Sequence, residues 1–597
     1  NIQFVSNNTL SVWQKQGKLY LEVKPTFFYK NSDNLVLNNS VDSYYNLTTN
    51  YLDSICRGLV MSNNIINRNS NKIKLKTNFL EIGMTYNVMS RMRNGNMLVL
   101  DGKISFNTEN NKQLQNTRLE YPNNQKITSV IYDRFSQTKP NNNFYTNSTI
   151  KYIHSITNNF QIRISDMVEF ANKIQTHDSY LLSDSLSTDR KVSSEFDFLP
   201  SEICFAEYFD SNNSFERHYS YITHTPSIML VYNKNKKILP SNNSEGGYNV
   251  FEAFLDLPLS FKYDKLDLVQ SKYSGISKRN EHYFNPSLNI NYRMANGNYF
   301  EFKNSITTKQ PSLIYRTPTI SSENPTQIFL NENINLRNEH SYHMEAMFSR
   351  TNIVKKSFYS INISYKISQN SLAMECIYDQ LTGVRFFHPE NVSGNYTLEC
   401  AHNFSKPLDK RKHLMLKNKI NVRMNHSVDL MAETSDMATF RSSVMNHWVT
   451  EGVNFDYDIT KNIKMGALGY LGYGRSSSNR EDFSTITVFD FHYGLTALVS
   501  LPYNFQCSTD LTMYSRRGYA NAAANTNDLV WNARLSKTFT KAGITLAVDG
   551  FDILGNISNI SQVLNSQGRT ETYRNSLPRY VMLHAIYRLN KQPKKRQ

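Results

Sequence analysis

Length, composition and charge restrict the class of protein to which this chain can belong. The chain has 597 residues, enough for several soluble domains or for one very large closed sheet. Only 39% of the residues are hydrophobic and the mean hydropathy is −0.52, yet 37 Tyr and 34 Phe are present. No run of about 18 uncharged apolar residues occurs, which excludes a membrane-spanning helix. This composition favours strands with one apolar and one polar face, as in membrane barrels.

The formal net charge of +16 does not indicate nucleic-acid binding, because Lys and Arg are scattered along the chain. They are concentrated only in the C-terminal tail, residues 591–597, which we expect to be solvated in the periplasm or to contact anionic lipid headgroups. The five cysteines show no metal-ligand spacing, and the histidines form no catalytic constellation. The sequence therefore predicts no enzyme activity, no cofactor and no metal site.

Alternation of apolar and polar residues begins near the N-terminus and recurs along the whole chain. In KLYLEVKPTFFYK, residues 18–30, one face carries Leu19, Leu21, Val23, Phe27 and Tyr29. The same period of two recurs in residues 338–348, 357–368, 413–424 and 579–590. These strands have about ten or more residues, the length that a tilted strand needs to cross a bilayer, whereas strands of soluble sheets usually have about five or six.

The connections between the predicted strands alternate in length. Short turns include RNGN at 93–96 and ANGN at 295–298, where Asn-Gly favours a tight hairpin. Long loops are predicted at 179–215, 310–336, 516–527 and 555–577. The region 31–72 is hard to assign and has room for one more hairpin. We therefore predict an all-β fold: a large transmembrane antiparallel β-barrel of about 20–22 strands, with short periplasmic turns and long extracellular loops.

The C-terminal segments follow a specific order. NDLVWNARLSKTFTKAGITLAVDGFDILGN, residues 527–556, contains a Trp strand, a tight turn and an apolar strand ending in Asp-x-Leu-x-Asn, and RYVMLHAIYRLN, residues 579–590, closes the series. This order resembles the last three strands of TonB-dependent receptors, particularly the outer-membrane barrel family abundant in Bacteroidetes. Trp531, residues 552–556 and Tyr587 occupy the matching places. Residues 335–349 and 395–408 are similar to two further family segments, although Thr397 and Leu398 stand where Gly is usual.

The resemblance, which covers residues 80–590, implies a 22-stranded barrel in the outer membrane of a Gram-negative cell. It also implies import of a bulky nutrient, such as a glycan, a peptide or a metal chelate, with energy supplied through TonB and a surface-exposed lipoprotein as partner. Family members carry an N-terminal plug, for which the early alternation leaves no room here. We therefore expect residues 1–16 to be a lead-in, the remnant of a plug-to-barrel linker, residues 17–590 to be the barrel, and TonB contact to require an upstream segment.

The apparent lack of a plug keeps a second function open. The chain could be an accessory or structural barrel in a larger outer-membrane complex for protein export, barrel assembly or surface-lipoprotein handling. A secreted soluble β-protein is a third alternative. In both membrane alternatives, the predicted partners are outer-membrane lipid and lipopolysaccharide.

The period of two predicts which side chains of a strand face lipid and which face the lumen. On the last strand, we expect one face to contact lipid and to carry Val581, Leu583, Ala585, Tyr587 and Leu589. Lumen-facing candidates are His343, Glu345, Lys417, Lys419, Arg423, His584 and Arg588. The cations among them would attract an anionic solute or neutralise neighbouring carboxylates, and we expect the last strand to close the barrel against residues 19–29.

Overall fold

The computed structural model describes most of the chain. The described residues are 2–7, 10–13, 19–43, 65–92, 95–122, 129–184, 206–238, 247–271, 273–379, 381–432, 439–480, 483, 485–519, 525–540, 542–556, 560–565, 568–573 and 579–587. Nearly all of them lie in strands, and within these residues no helix is long and apolar enough to span a bilayer. The predicted all-β fold with a large antiparallel sheet is confirmed.

The strands follow one another in chain order as a ladder. They are β1 (Ile2–Asn7), β2 (Leu10–Trp13), β3 (Leu19–Ser43), β4 (Ile65–Arg91), β5 (Met97–Glu120), β6 (Ser129–Ser155), β7 (Phe160–Asp184), β8 (Phe215–Ile238), β9 (Gly247–Gln270), β10 (Tyr273–Phe284), β11 (Ser287–Arg293), β12 (Asn298–Lys309), β13 (Thr319–Asn324), β14 (Gln327–Asn331), β15 (Glu339–Asn352), β16 (Ser357–Gln369), β17 (Ser371–Tyr378), β18 (Arg385–Val392), β19 (Asn395–Pro407), β20 (Leu414–Ala432), β21 (Phe440–Asp458), β22 (Ile463–Ser478), β23 (Ile486–Leu501), β24 (Phe505–Arg517), β25 (Asn527–Phe539), β26 (Ile544–Phe551), β27 (Ile560–Asn565), β28 (Gly568–Tyr573) and β29 (Tyr580–Tyr587).

Most of these strands form one antiparallel wall. β1 and β2 both pair with β3 and share one position, and β10 and β11 likewise share the position next to β9. Together with the seven strands β3–β9, the four strands β12, β15, β16 and β29, and the eight strands β19–β26, the described residues supply 21 wall positions. This number lies within the predicted range. The region 31–72 adds no hairpin in its described part, because residues 31–43 continue β3 and residues 65–72 begin β4.

The wall has two different ends. Short turns join the strands at one end, which we call the turn end, and longer connections join them at the other, the loop end. The predicted Asn-Gly turn at 295–298 shows why Gly is needed: Gly297 has φ +85°, and a Cβ there would lie 2.1 Å from the Thr351 carbonyl oxygen. The Gly297 N–H donates to the Met294 carbonyl at 3.0 Å. These turns fix the register of each hairpin.

An apolar band on one face of the wall starts at the turn end and stops abruptly. On β5 it runs from Leu98 to Phe106, and Thr108, Asn110 and Lys112 follow on the same face. The band continues on the neighbouring strands, because residues 82–90 of β4 and 19–27 of β3 lie opposite this stretch. It ends one pair higher on those strands, at Leu80 and Tyr29, which lie opposite Thr108. The opposite face carries polar residues such as Asp101 and Lys103. A band nine residues tall has the height that a tilted strand needs to cross a bilayer, about 9–11 residues.

The wall is much taller than this band on one side. Strands β3–β9 have 24 to 27 residues each, whereas β26 and β29 have 8. At about 3.3 Å per residue, each of the long strands β3–β9 extends about 80 Å, more than twice the height of the band. The long strands therefore continue beyond the band toward the loop end.

Two predictions about the ends of the sheet are wrong. Residues 1–16 are not only a lead-in, since β1 and β2 pair with β3 from the Ile2↔Asn31 pair to the Trp13↔Tyr20 pair. For the same reason β29 does not close against residues 19–29, because those residues pair with β1 and β2 on one edge and with β4 on the other. In the described residues, β1–β2 and β29 run in the same direction, so antiparallel closure requires a further strand between their edges.

The apolar band predicts the effect of a charge at two heights on one strand. Ile104→Arg places a cation within the band, where facing lipid costs about 2 to 4 kcal/mol near the bilayer midplane. We expect less folded protein in the membrane fraction, measured as heat-modifiable migration in electrophoresis. Asn110→Arg, on the same face of β5 but above the band, is the matched control and should assemble like the wild type. Equal assembly of both variants would contradict a lipid-facing band.

Candidate functional site at the barrel mouth

A second sheet lies at the loop end and is built from two connections of the wall. β13 and β14 belong to the connection between β12 and β15, which the sequence predicted as a loop, and β17 and β18 belong to the connection between β16 and β19. β13 pairs with β14, β14 pairs in parallel with β18, and β18 pairs with β17. We call these four strands the mouth sheet. It joins the wall where Cys376 and Ile377 pair in parallel with Met431 and Ala432 of β20.

The β17–β18 hairpin was missed in the sequence because RFFHPENV, the sequence of β18, has apolar and polar residues on both faces and therefore gives no period of two. Its turn does carry a signal. Asp379 accepts hydrogen bonds from the Leu381 N–H and the Thr382 hydroxyl, and Gly383 has φ +70°. A Cβ on Gly383 would lie 2.2 Å from Asn67 Nδ2, so Gly also permits the close approach of this turn to the wall.

The turn of this hairpin is held by a distant part of the wall. The Arg385 guanidinium forms an ion pair with Asp42, with Nη2 3.2 Å from Oδ1. Asn67 Nδ2 donates to Asp42 Oδ2 at 3.1 Å and to the Thr382 carbonyl at 3.0 Å. Asp42 lies on β3, near one end of the wall order, whereas the hairpin emerges between β16 and β19 and joins β20. The mouth sheet therefore connects parts of the wall that are far apart along the sheet.

The connection between β12 and β15 packs against the face of β9 that carries Asp264, Leu266 and Leu268. Leu313 is buried with Leu266 and Leu268. Next to this cluster, the Arg279 guanidinium contacts the Asp264 carboxylate through two bonds, Nε–Oδ1 at 3.1 Å and Nη2–Oδ2 at 2.6 Å, and also donates to the Pro311 carbonyl at 2.8 Å. Both charged groups are buried, so removing one of them leaves an uncompensated buried charge, a cost of about 3 to 5 kcal/mol.

A segment before β8 holds β13 from a second side. Asn213 Nδ2 donates to Ser322 Oγ at 3.1 Å, and the Ser322 N–H donates to Asn213 Oδ1 at 2.8 Å. The same segment is fixed to the wall by Asp210, which pairs with the buried Arg134 at 2.6 Å. The mouth sheet is thus tied to β3, to β9 and to β6.

The mouth sheet has a shallow depression and a polar cluster. The depression has a volume of about 340 Å³, and its lining includes Phe329, Met374, Phe387 and Asp429. Phe329 and Phe387 stack with their ring centroids 5.0 Å apart. The size falls at the lower end of small-molecule sites, about 300 to 1,000 Å³. The polar cluster consists of Glu375, His388 and Glu390, whose potential ligand atoms all lie within 4.8 Å of one another.

The predicted lumen-facing residues of β15 make local contacts. His343 Nε2 lies 3.0 Å from Ser364 Oγ, and Glu345 accepts a hydrogen bond from Asn362 Nδ2 at 3.0 Å. Lys303 is 4.0 Å from Glu345. Both residues lie on the face opposite the exposed Tyr342, Met344 and Phe348. They are satisfied by neighbouring strands and do not meet the other predicted site residues.

The predicted cations of β20 are partly neutralised. Lys417 pairs with Asp456 at 2.7 Å, and Arg423 pairs with Glu399 at 3.0 Å. Lys419 lies between two uncharged neighbours, Asn403 and Gly452, and is exposed. The pairing of Lys417 and Arg423 fits the structural interpretation of these cations better than attraction of an anionic solute.

The two faces of the last strand differ in their contacts, and which of them meets lipid stays a prediction. Val581, Leu583, Ala585 and Tyr587 are all exposed, with Leu583 at 78%, and Leu583 lies directly opposite Val548 of β26. On the other face, His584 Nε2 is 2.7 Å from the buried Asp549, which also approaches Arg534 at 3.3 Å. Arg588, Leu589 and the tail 591–597 lie outside the described residues.

The segment that carries the family resemblance ends β26 with a specific turn. Asp552 has φ +42°, and its N–H donates to Asn532 Oδ1 at 2.9 Å. The Asp552 carboxylate accepts the Asn556 N–H at 3.1 Å, and the Ile553 N–H donates to the Trp531 carbonyl at 2.8 Å. The Asp and Asn of this segment are therefore turn residues that terminate the strand.

Comparison with known proteins gives similarity to solved structures alone. No protein-family model and no curated protein matches the chain. The outer membrane transporter YddB from Escherichia coli is 8% identical, with a TM-score of 0.38 over 94% of this chain and 83% of that one. The copper transporter OprC is 8% identical, with a TM-score of 0.38 over 95% and 79%. The RagAB peptide importer in its open-open state is 9% identical, with a TM-score of 0.39 over 90% and 71%.

The two faces of β29 predict opposite tolerance to charge. Leu583→Arg should reduce assembly, since the side chain lies on the apolar face, whereas His584→Arg places a guanidinium beside the Asp549 carboxylate and should assemble normally. The readout is the folded fraction in the membrane. Similar losses for both variants, or for neither, would show that the facing is wrong.

The ion pair between Asp42 and Arg385 should limit the rate at which a maleimide reacts with Cys376. This thiol is 2% exposed, and burial raises its pKa to about 11, so little thiolate is present at neutral pH and maleimide labelling should be slow. Asp42→Asn removes the carboxylate that holds Arg385. A partly exposed pair of this kind contributes up to about 1 kcal/mol, so labelling should become a few times faster.

Two variants control this labelling experiment. Asp33→Asn changes another Asp of β3, which lies 4.0 Å from Lys76 rather than at the hairpin, and should leave the rate unchanged. Cys376→Ser identifies the signal by removing it. An unchanged labelling rate in Asp42→Asn would mean that the Asp42–Arg385 ion pair does not protect Cys376 from the reagent.

Proposed function

We propose that this chain forms the barrel of a TonB-dependent receptor-type protein of the Gram-negative outer membrane, which binds a bulky nutrient at its mouth and imports it. The ligand class is a glycan, a peptide or a metal chelate. The apolar band supports membrane insertion through strands, and the tall loop end supports recognition outside the bilayer. The order of Trp531, the 552–556 turn and the closing strand supports the family assignment.

The mouth sheet is the observation on which the ligand-binding proposal rests. A solute arriving from outside meets this sheet before it reaches the polar face of the wall. The sheet is folded and tied to distant wall strands, so its surface is preorganised for binding. Its depression offers the stacked Phe329 and Phe387 beside the carboxylate of Asp429, a combination of apolar area and one polar group that suits small-molecule sites.

A surface-exposed lipoprotein is the proposed partner at the same end. Ile320, Ile334 and Leu381 all expose large apolar side chains in the two connections that build the mouth sheet. Apolar groups exposed on a receptor mouth are suited to contact with another protein. These residues equally favour the second candidate, an accessory barrel in an export, assembly or lipoprotein-handling complex. TonB contact is proposed only through a segment outside residues 1–597.

Growth of a deletion strain distinguishes the two candidates. Cells lacking the gene are supplied with panels of glycans, peptides and metal chelates as limiting nutrients, and are complemented with the wild type or with Phe387→Asp, which places a charge in the depression. A receptor predicts restored growth on one ligand class, loss in Phe387→Asp at equal membrane abundance, and no uptake after collapse of the proton gradient. Growth independent of the gene, with stable copurification of secretion or assembly factors, would replace the receptor with the accessory barrel.

A further inference from the structure

We propose that Glu375, His388 and Glu390 bind one divalent transition-metal ion, with Zn²⁺ the best match, on the mouth sheet. Imidazole and carboxylate groups are ordinary zinc ligands, and three protein ligands with one open position make a recognised type of zinc site. This inference concerns an ion held by the hairpin and stands whether or not the chain imports a nutrient.

The hairpin register brings the three side chains to one face. Glu375 of β17 lies directly opposite His388 of β18, and Glu390 follows His388 by two residues. Directly opposed residues and residues two apart on one strand project to the same side of a sheet. The site is therefore created by the pairing of β17 with β18.

The distances between the potential ligand atoms suit a single small ion. His388 Nδ1 lies 3.7 Å from Glu375 Oε2 and 3.5 Å from Glu390 Oε1. With zinc bonds of about 2.0 to 2.1 Å, two ligands of a tetrahedral ion are separated by about 3.3 to 3.4 Å. Side-chain shifts of a few tenths of an ångström would bring both pairs to that separation. Two carboxylates and a neutral imidazole also carry the charge that balances a divalent cation.

Neighbouring polar groups orient both carboxylates. Thr439 Oγ1 donates to Glu375 Oε1, which leaves Oε2 directed at His388. Asn333 is 8% exposed and its Nδ2 donates to Glu390 Oε1 at 2.8 Å and to the Pro389 carbonyl at 2.9 Å. Outer groups of this kind hold metal ligands in place, and their loss commonly lowers metal affinity about 10- to 100-fold.

The cluster differs from other His–carboxylate pairs of the chain. His224 and Asp166 are 2.8 Å apart, and His177 and Glu323 are 2.7 Å apart, each a direct contact with one carboxylate. Within the described residues, the cluster of Glu375, His388 and Glu390 is the one place where at least three such groups converge. His388 remains about one-third exposed, so an ion could enter from solvent and retain a water or a solute as a fourth ligand.

An ion at this position would strengthen the mouth sheet. It would join β17 to β18 and, through Asn333, join both strands to the connection between β12 and β15. Zn²⁺ should therefore slow the labelling of Cys376, which lies next to Glu375 on β17, by reducing opening of the hairpin.

The test uses the full chain, purified in detergent with an affinity tag that contains no histidine and treated with a chelator. Zn²⁺ is titrated in competition with a chromophoric indicator. The wild type should bind one equivalent, and His388→Ala and Glu390→Gln should each weaken binding by about tenfold or more. His224→Ala, which removes a His beside a single carboxylate, is the matched control and should retain wild-type binding. Heat-modifiable migration verifies that each variant is folded.

A second measurement identifies the ligands directly. Co²⁺ replaces Zn²⁺, and its visible absorption reports a site with nitrogen and oxygen ligands in the wild type. His388→Cys should bind Co²⁺ with a new thiolate charge-transfer band, because sulfur then replaces nitrogen at the ion. The proposal is overturned if the folded wild type binds no Zn²⁺ beyond the level of His388→Ala, or if Co²⁺ bound to His388→Cys lacks the thiolate band.

Discussion

The wall depends on one constraint: in hydrocarbon, backbone N–H and C=O groups must find their partners within the protein. A continuous antiparallel ladder meets this requirement, because each strand between its two end positions gives both edges to its neighbours. Side chains must then provide an apolar exterior, and the period of a strand allows this on one face only. The band from Leu98 to Phe106 of β5, continued on β4 and β3 by the residues that pair with it, satisfies both conditions. Its upper limit, at Thr108, is where the requirement for an apolar exterior ends.

Beyond that limit the strands are free to serve another purpose. The outward face becomes polar, the wall continues for many residues, and long connections turn back over it. These connections are held by charged groups that would be costly in lipid but are favourable near water: Arg385 with Asp42, Arg279 with Asp264, and Arg134 with Asp210. Two of the three arginines are fully buried, so these contacts specify one arrangement of the connections. The mouth sheet is the result of that arrangement.

The existence of the strands could be predicted from local pattern. The last strand shows this for its existence, since residues 580–587 form β29, whereas the assignment of Leu583 to lipid and His584 to the lumen stays a prediction. Which edge each strand uses could not be predicted in the same way. Residues 19–29 were expected to receive β29, yet β1 and β2 occupy that edge, because two short strands with a break between them give a weak periodic signal. The β17–β18 hairpin was missed for a related reason, since β18 has apolar and polar residues on both faces and gives no period of two.

The sequence by itself determined the all-β class, the approximate strand number and the two-faced character of the wall, because a period of two is a property of each strand alone. Only the tertiary structure decided how separate segments meet. Glu375 and His388 are 13 positions apart, and alternation cannot say that they lie opposite each other; the hairpin register does. Likewise, Asp42 and Arg385 are separated by 343 residues and meet because the connections fold across the wall. Contacts between strands depend on register and path, which local periodicity does not encode.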